Sequence, residues 1–176
     1  MKPWMIIAVV AVAALGVVLY FTVTNRPPDI ASAPQPSTQE AKMDWPTQQA
    51  TYMAENIKKP GWQATASGIQ YTVLKSGDGT GPKPAPGSEV TVHYEGRLID
   101  GRVFDSSYAR NEPMTFPLSG VILGWQEGVP LMRVGETYEF LIPANLAYGD
   151  RSVSIIPGGS ALIFKIELLA AKTPAP

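Results

Sequence analysis

In 176 residues the sequence has no cysteine and only one histidine. Without cysteine there is no disulfide scaffold, thiolate metal site, thiol nucleophile or lipid attachment through sulfur, and the redox compartment stays open. A single imidazole, His93, rules out a metal centre rich in histidine. Neither sign of charge dominates: 14 Lys and Arg against 15 Asp and Glu give a net charge of −1. The longest basic run is the pair Lys58-Lys59. A chain so balanced lacks the electrostatic footprint that tracks a phosphate backbone, so nucleic acid is not an expected partner.

The common catalytic sets are absent as well. His93 alternates with Thr91 and Glu95 opposite Val90, Val92 and Tyr94, which reads as the polar face of a strand, not a general base. No pair of carboxylates stands out for glycoside chemistry. Gly77, Gly79 and Gly81 precede PKPAPG, without the Lys-Ser/Thr and helix of a phosphate loop, and are expected to form a turn without a ligand.

What the chain does contain is uneven. Hydrophobic residues make up 45% of it, and many fall in Met5–Val23, 19 residues without a charge. As a helix this run is roughly 28 Å long, against the ~30 Å hydrocarbon core of a bilayer. Residues 1–23 are therefore expected to form a membrane anchor, with Lys2 on the cytoplasmic side and the remainder exported. A cleaved signal followed by a soluble periplasmic or secreted protein is the alternative. Residues 24–43 carry four prolines and no aromatic residue. They read as a flexible linker reaching about 25 Å.

The rest is long enough for one core. In residues 44–67 a short helix over Pro46–Lys58 is predicted from the stripe Ala50, Met53, Ala54 and Ile57, with Pro60-Gly61 ending it. From Ile69 the period changes to two: Ile69, Tyr71, Val73; Val90, Val92, Tyr94; Tyr138, Phe140, Ile142; Leu162, Phe164, Ile166, Leu168. Gly124–Met132 is the one helical segment here, kept brief by Pro130. These periods predict an α+β fold, a mainly antiparallel sheet with a short helix against one face. Residues 173–176 are expected to be a disordered tail. Tyr94, Phe104, Phe116, Trp125, Tyr148 and Phe164, with Val121, Ile122 and Ile156, would count as core on composition alone.

Their order suggests more. Through VTVHYEGRLIDGRVFDSS, GVILGWQEGVPLMRVGE and IPANLAYGDRSVSIIPGGSALIFKIELL, the chain from about Gly68 to Leu169 closely resembles the FKBP family of peptidyl-prolyl cis-trans isomerases. The entry TASGIQYTVLKSGDG is similar to the bacterial branch related to macrophage-infectivity-potentiator proteins. The resemblance implies that residues 68–172 form the isomerase domain, a five- or six-stranded antiparallel sheet wrapped around the short helix. It also implies an apolar pocket lined by Tyr94, Phe104, Asp105, Met114, Val121, Ile122, Trp125, Tyr148, Ile156 and Phe164. Trp125 corresponds to the floor under a proline ring, the Ile122 N–H and Tyr148 hydroxyl to donors toward substrate carbonyls, and Asp105 to the pocket carboxylate.

Such a site needs no nucleophile, metal or cofactor. The alternatives from the residues alone are an Asp105 that ties a turn with Ser106 and Ser107, a capped core phenol for Tyr148 and a structural indole for Trp125. Proline-containing unfolded or newly exported chains are the implied partners, with macrolide inhibitors such as rapamycin as a further one. Met114 stands where many members carry an aromatic residue, and Gly158-Gly159 where proline and a polar residue are common, so the loop after Tyr148 is expected to be mobile. A short helix and tether replace the long helical arm through which that branch often dimerises, which favours a monomer. A non-catalytic chaperone or assembly module using the same pocket is the competing function.

Overall fold

The computed structural model describes residues 43–172. The expected anchor, most of the linker and the tail lie outside them. Among the described residues no helix is long and apolar enough to cross a membrane.

Helix α1 spans Trp45–Asn56 and starts where Asp44, as N-cap, accepts from the Thr47 N–H at 3.0 Å. Capping offsets one of the unsatisfied donors of the first turn. Seven strands follow as β1 Gln63–Ala64, β2 Gln70–Lys75, β3 Glu89–Leu98, β4 Val103–Ser106, β5 Met114–Pro117, β6 Thr137–Ile142 and β7 Leu162–Lys172. The one-turn helix α2, Ser107–Arg110, follows β4, and α3, Leu123–Gly128, follows β5. A 3-10 turn over Val129–Leu131 continues α3, with Pro130 at its start, where a missing N–H costs no helical bond. The strands form one antiparallel sheet in the order β1-β2-β6-β7-β3-β4, with β5 paired to the start of β3. Seven strands exceed the five or six that the resemblance implies, with the two-residue β1 and the four-residue β5 among them.

Strand β3 is the backbone of the domain, paired with β7 over ten positions from Glu89↔Lys172 to Leu98↔Leu162. Its strict alternation buries Val90, Val92, Tyr94 and Leu98, while Thr91, His93 and Glu95 take the other face, as their period predicts. With Phe140, Ile142, Leu162, Phe164, Ile166 and Leu168 these residues pack under α3 into the main core. Each large apolar side chain so buried contributes about 1.5–3 kcal/mol.

Helix α1 covers part of the sheet's opposite face, where Leu141, Ala161 and Ile163 meet Tyr52, Met53 and Trp62. Its inward side differs from the expected stripe. Ala50 and Ala54 are exposed, and Trp45, Gln49, Tyr52, Met53 and Asn56 turn inward. Two amides can occupy that face because they are hydrogen-bonded: Asn56 Nδ2 donates to Gln70 Oε1 at 3.0 Å, and Gln49 Oε1 accepts the Ala161 N–H at 3.0 Å. Gln70, on the polar side of its strand's alternation, is thereby buried beneath the helix.

Candidate active site

Between α3 and the concave face of the sheet lies a cavity of about 470 Å³ lined by Tyr94, Phe104, Asp105, Phe116, Gly120, Val121, Ile122, Trp125, Tyr148, Val153, Ser154, Ile156 and Phe164. Nine of the ten residues implied by the resemblance therefore meet here. Met114 does not line the cavity; it sits on β5 opposite Val92, packed against the core. Phe116, two residues on along the same face of β5 and opposite Val90, supplies the aromatic wall instead.

Trp125 forms the floor at 4% exposure. Three rings meet it nearly at right angles: Tyr94 at 5.4 Å between centroids, Phe116 at 5.9 Å and Phe164 at 5.3 Å. Phe104 meets Phe164 in the same way at 5.6 Å. Edge-to-face contacts set the positive ring edge against the negative ring face, worth roughly 0.5–1.5 kcal/mol each beyond burial. The result is an open cavity walled by interlocked aromatic rings. Gly96 makes room for it, because a Cβ there would lie 2.5 Å from Phe104 Cε2 and 2.9 Å from Phe164 Cε1.

The polar groups sit at the rim. Ile122 is the N-cap of α3, and among the described residues its N–H donates to no backbone acceptor. The carbonyl of that same peptide unit, Val121 O, accepts from Gln126 Nε2 at 2.8 Å. Since N–H and C=O of a trans peptide point opposite ways, Gln126 aims the Ile122 N–H. Tyr148 also lines the cavity.

Asp105 has side-chain partners beyond the turn with Ser106 and Ser107. Its carboxylate accepts from the Tyr94 hydroxyl and from Arg110 Nη1, the latter at 2.5 Å. Ser106 caps α2 through the Ala109 N–H at 3.2 Å, and Ser107 Oγ accepts the Tyr94 N–H at 2.7 Å. Burial pulls the Asp105 carboxyl upward, but the hydrogen bonds from Tyr94 and Arg110 and the guanidinium charge outweigh it and hold the group below its ordinary value. Burial and the bond to Asp105 push the Tyr94 phenol up, so it remains a donor.

His93 lies on the other face of the sheet, stacked on Tyr108 at 4.7 Å with Nδ1 3.0 Å from Ser107 Oγ. The Gly77–Gly81 segment is a turn in which Asp78 Oδ1 accepts the Thr80 N–H at 2.8 Å. The loop after Tyr148 is tied to itself: Gly159 N–H to Gly149 O at 2.9 Å, Gly158 N–H to Ser152 Oγ at 3.1 Å, and Val153 paired with Ile156. The sequence singles out Phe116 only as a core aromatic, and it does not single out Arg110, Gln126 or Gly96.

A family profile described as FKBP-type peptidyl-prolyl cis-trans isomerase matches residues 81–169. The FKBP-type isomerase FkpA of Aeromonas hydrophila is 52% identical over 124 residues, 70% of this chain and 46% of its own length. The FKBP-type 22 kDa isomerase of Escherichia coli is 51% identical over 119 residues, 67% of this chain and 57% of its own. An outer membrane protein MIP of Legionella longbeachae is 46% identical over 125 residues, 70% of this chain and 53% of its own. The chain thus spans about half the length of these relatives. The crystal structure of Escherichia coli FkpA aligns with a TM-score of 0.69 at 41% identity, covering 74% of this chain and 60% of that one. A peptidyl-prolyl cis-trans isomerase from Pseudomonas syringae aligns with a TM-score of 0.66 at 38% identity, covering 72% of this chain and 92% of that one. With the aromatic box, its rim donors and these matches together, the chain belongs to the FKBP-type peptidyl-prolyl cis-trans isomerase family.

Proposed function

We propose that this protein accelerates rotation about Xaa-Pro bonds in unfolded or newly exported polypeptides. The observation that carries the reading is the box itself, an indole walled by aromatic rings, with Ile122 and Tyr148 among the residues that line it. An amide resists rotation by roughly 18–20 kcal/mol because resonance gives the C–N bond double-bond character. The twisted transition state loses that resonance and its charge separation. A proline ring resting on Trp125 leaves water for an apolar surround that favours the less polar, twisted form over the planar one. The Ile122 N–H and the Tyr148 hydroxyl hold the carbonyls on either side, so the bond rotates within a fixed frame. Asp105, held low against burial by Tyr94 and then Arg110, sets its negative charge beside the rotating bond. Each ~1.4 kcal/mol removed from the barrier speeds exchange tenfold, and nothing covalent is formed.

The segment Met5–Val23 and a relative named an outer membrane protein support a tethered protein working on the export side. Macrolide inhibitors would occupy the same box, with Phe116 as the rigid wall that Met114 does not provide.

The test is the cis-to-trans rate of an Ala-Leu-Pro-Phe peptide with the parent chain and with Tyr148→Phe, Asp105→Val and Trp125→Ala. Acceleration by the parent that folded pocket variants largely lose is the expected result. A folded parent that leaves the rate unchanged but suppresses aggregation of an unfolded client would make the box a holding site.

A further inference from the structure

One wall of the cavity is the loop of residues 149–160, which contributes Val153, Ser154 and Ile156. Its internal bonds give it a shape, the Gly149 N–H holds its first residue to Ala144 O at 2.8 Å, and Ile156 packs into the core. A further tie is at its C-terminal foot, where the partners come from helix α1, more than a hundred residues away in sequence. Ser160 Oγ donates to the Pro157 carbonyl at 2.5 Å and accepts from Trp45 Nε1 at 3.3 Å. The next residue, Ala161, gives its N–H to Gln49 Oε1 at 3.0 Å. Pro157 directly follows Ile156 of the wall. Ser160 is 3% and Gln49 5% exposed, so water cannot replace these bonds once they are broken.

The far end of the helix is fixed too. Gln70 Nε2 donates to the Met53 carbonyl at 2.8 Å, and Asn56 holds Gln70 Oε1, so α1 is tied to β2 in the body of the sheet. Helix α1 also precedes the residues 81–169 that the family profile matches.

From this geometry we propose that helix α1 braces the pocket loop, with Trp45, Gln49 and Ser160 as positioning residues for isomerisation. They do not touch substrate. They hold the Ile156 wall at the distance at which a proline ring fills the box, so the brace acts on substrate affinity more than on rotation once the ring is bound. The proposal rests on the isomerase reading for its kinetic consequence but not for its structural one.

The experiment compares the full parent chain with Gln49→Met, Ser160→Ala and Gln49→Glu, the last keeping an acceptor for Ala161. Amide hydrogen exchange at Val153, Ile156 and Gly159 is read against β3 and β6, and KM and kcat are measured on the Ala-Leu-Pro-Phe peptide. Gln49→Met and Ser160→Ala are expected to speed loop exchange about tenfold with β3 and β6 unchanged, the local opening that loss of one buried hydrogen bond in the first and two in the second allows. KM should rise severalfold with kcat held within about twofold, and Gln49→Glu should restore both. Should Gln49→Met fail to fold, Trp45→Phe, which keeps the ring and removes the donor, makes the same comparison. Loop amides exchanging at the parental rate, or loop and core amides speeding up together, would overturn the brace. A parent chain without isomerase activity would overturn the functional reading instead, and the exchange data alone would then decide the brace.

Discussion

Gln126 Nε2 holds the Val121 carbonyl at 2.8 Å, and by doing so it fixes the orientation of the Ile122 N–H at the other end of the same peptide. The bond reaches back from the second turn of α3 to the residue before its N-cap, so it constrains the one peptide that no helical hydrogen bond fixes. Gln126→Met keeps the length and the helix propensity but removes the donor. It is expected to lower kcat/KM about threefold to tenfold, or ~1 kcal/mol, with a urea midpoint close to the parent's, because the partner carbonyl lies at a partly solvated rim. Peptide kinetics and urea unfolding check it together.

Trp125 is held by three edge-to-face rings, and one of them, Phe164, also holds Phe104. Removing Phe164 therefore disturbs both floor and wall. Phe164→Leu should cost about 1–3 kcal/mol of stability, less than the ~3–5 kcal/mol of a truncation to alanine. Activity should fall more than tenfold, since the indole loses the contact that fixes its tilt. Urea unfolding gives the first quantity and cis-to-trans rates the second; an unchanged rate in a destabilised chain would show that the tilt does not matter.

Gly96→Ala tests the same box from beneath. The added methyl meets Phe104 and Phe164 inside van der Waals contact, and Gly96 has no positive φ to confuse the outcome. Overpacking of this kind costs about 1–3 kcal/mol. The cavity should narrow as both rings move inward, so KM for the peptide is expected to rise, with shifted aromatic resonances as the spectroscopic sign.

These particulars show what the sequence can and cannot convey. The period of two in β3 placed Val90, Val92 and Tyr94 inward and His93 outward, because pleating is a local property of the chain. The buried face of α1 was not legible. An apolar stripe counts carbon, whereas Gln49 Oε1 and Asn56 Nδ2 find partners in Ala161 and Gln70, distant in sequence. Met114 and Phe116 share one face of β5, a strand too short to stand out by its period, and which of them reaches Trp125 depends on how the strand crosses α3. Arg110 lies on a single helical turn, too short to show a period, so its bond to Asp105 could not be read either.

On the outer face, Tyr108 is stacked on His93, lies under Lys165 and gives its hydroxyl to Glu167 at 3.2 Å. Burial first, then the charge and hydrogen bond of Glu167, push its phenol up to about 12. A phenol raised in the fold favours the protonated native state. Its stabilisation is present below the ordinary value of 10.0 and is lost as pH rises toward about 12. Ultraviolet titration of phenolate should show this tyrosine ionising last or together with unfolding. Tyr108→Phe should abolish that step and flatten the stability profile across the same window.

For Asp105 the sign runs the other way. A carboxyl held low by Tyr94 and Arg110, against the upward pull of burial, contributes stability above its ordinary value of 3.8 and loses it as pH falls through the lower folded value. The ion pair is half exposed, at 43% and 40%, so its contribution to folding is at most ~1 kcal/mol. Its contribution to the reaction is separate, because the charge sits on the cavity wall. Isomerisation should therefore hold a plateau from neutral pH down to about pH 4 and fall below it, ahead of global unfolding. Asp105→Asn, which keeps an acceptor for the Tyr94 hydroxyl but carries no charge, should reduce kcat/KM about threefold to tenfold at neutral pH and remove the acid limb. Peptide rates from pH 3 to 8, alongside circular dichroism of both chains, decide it: an acid limb that survives in Asp105→Asn would assign the titration to another group.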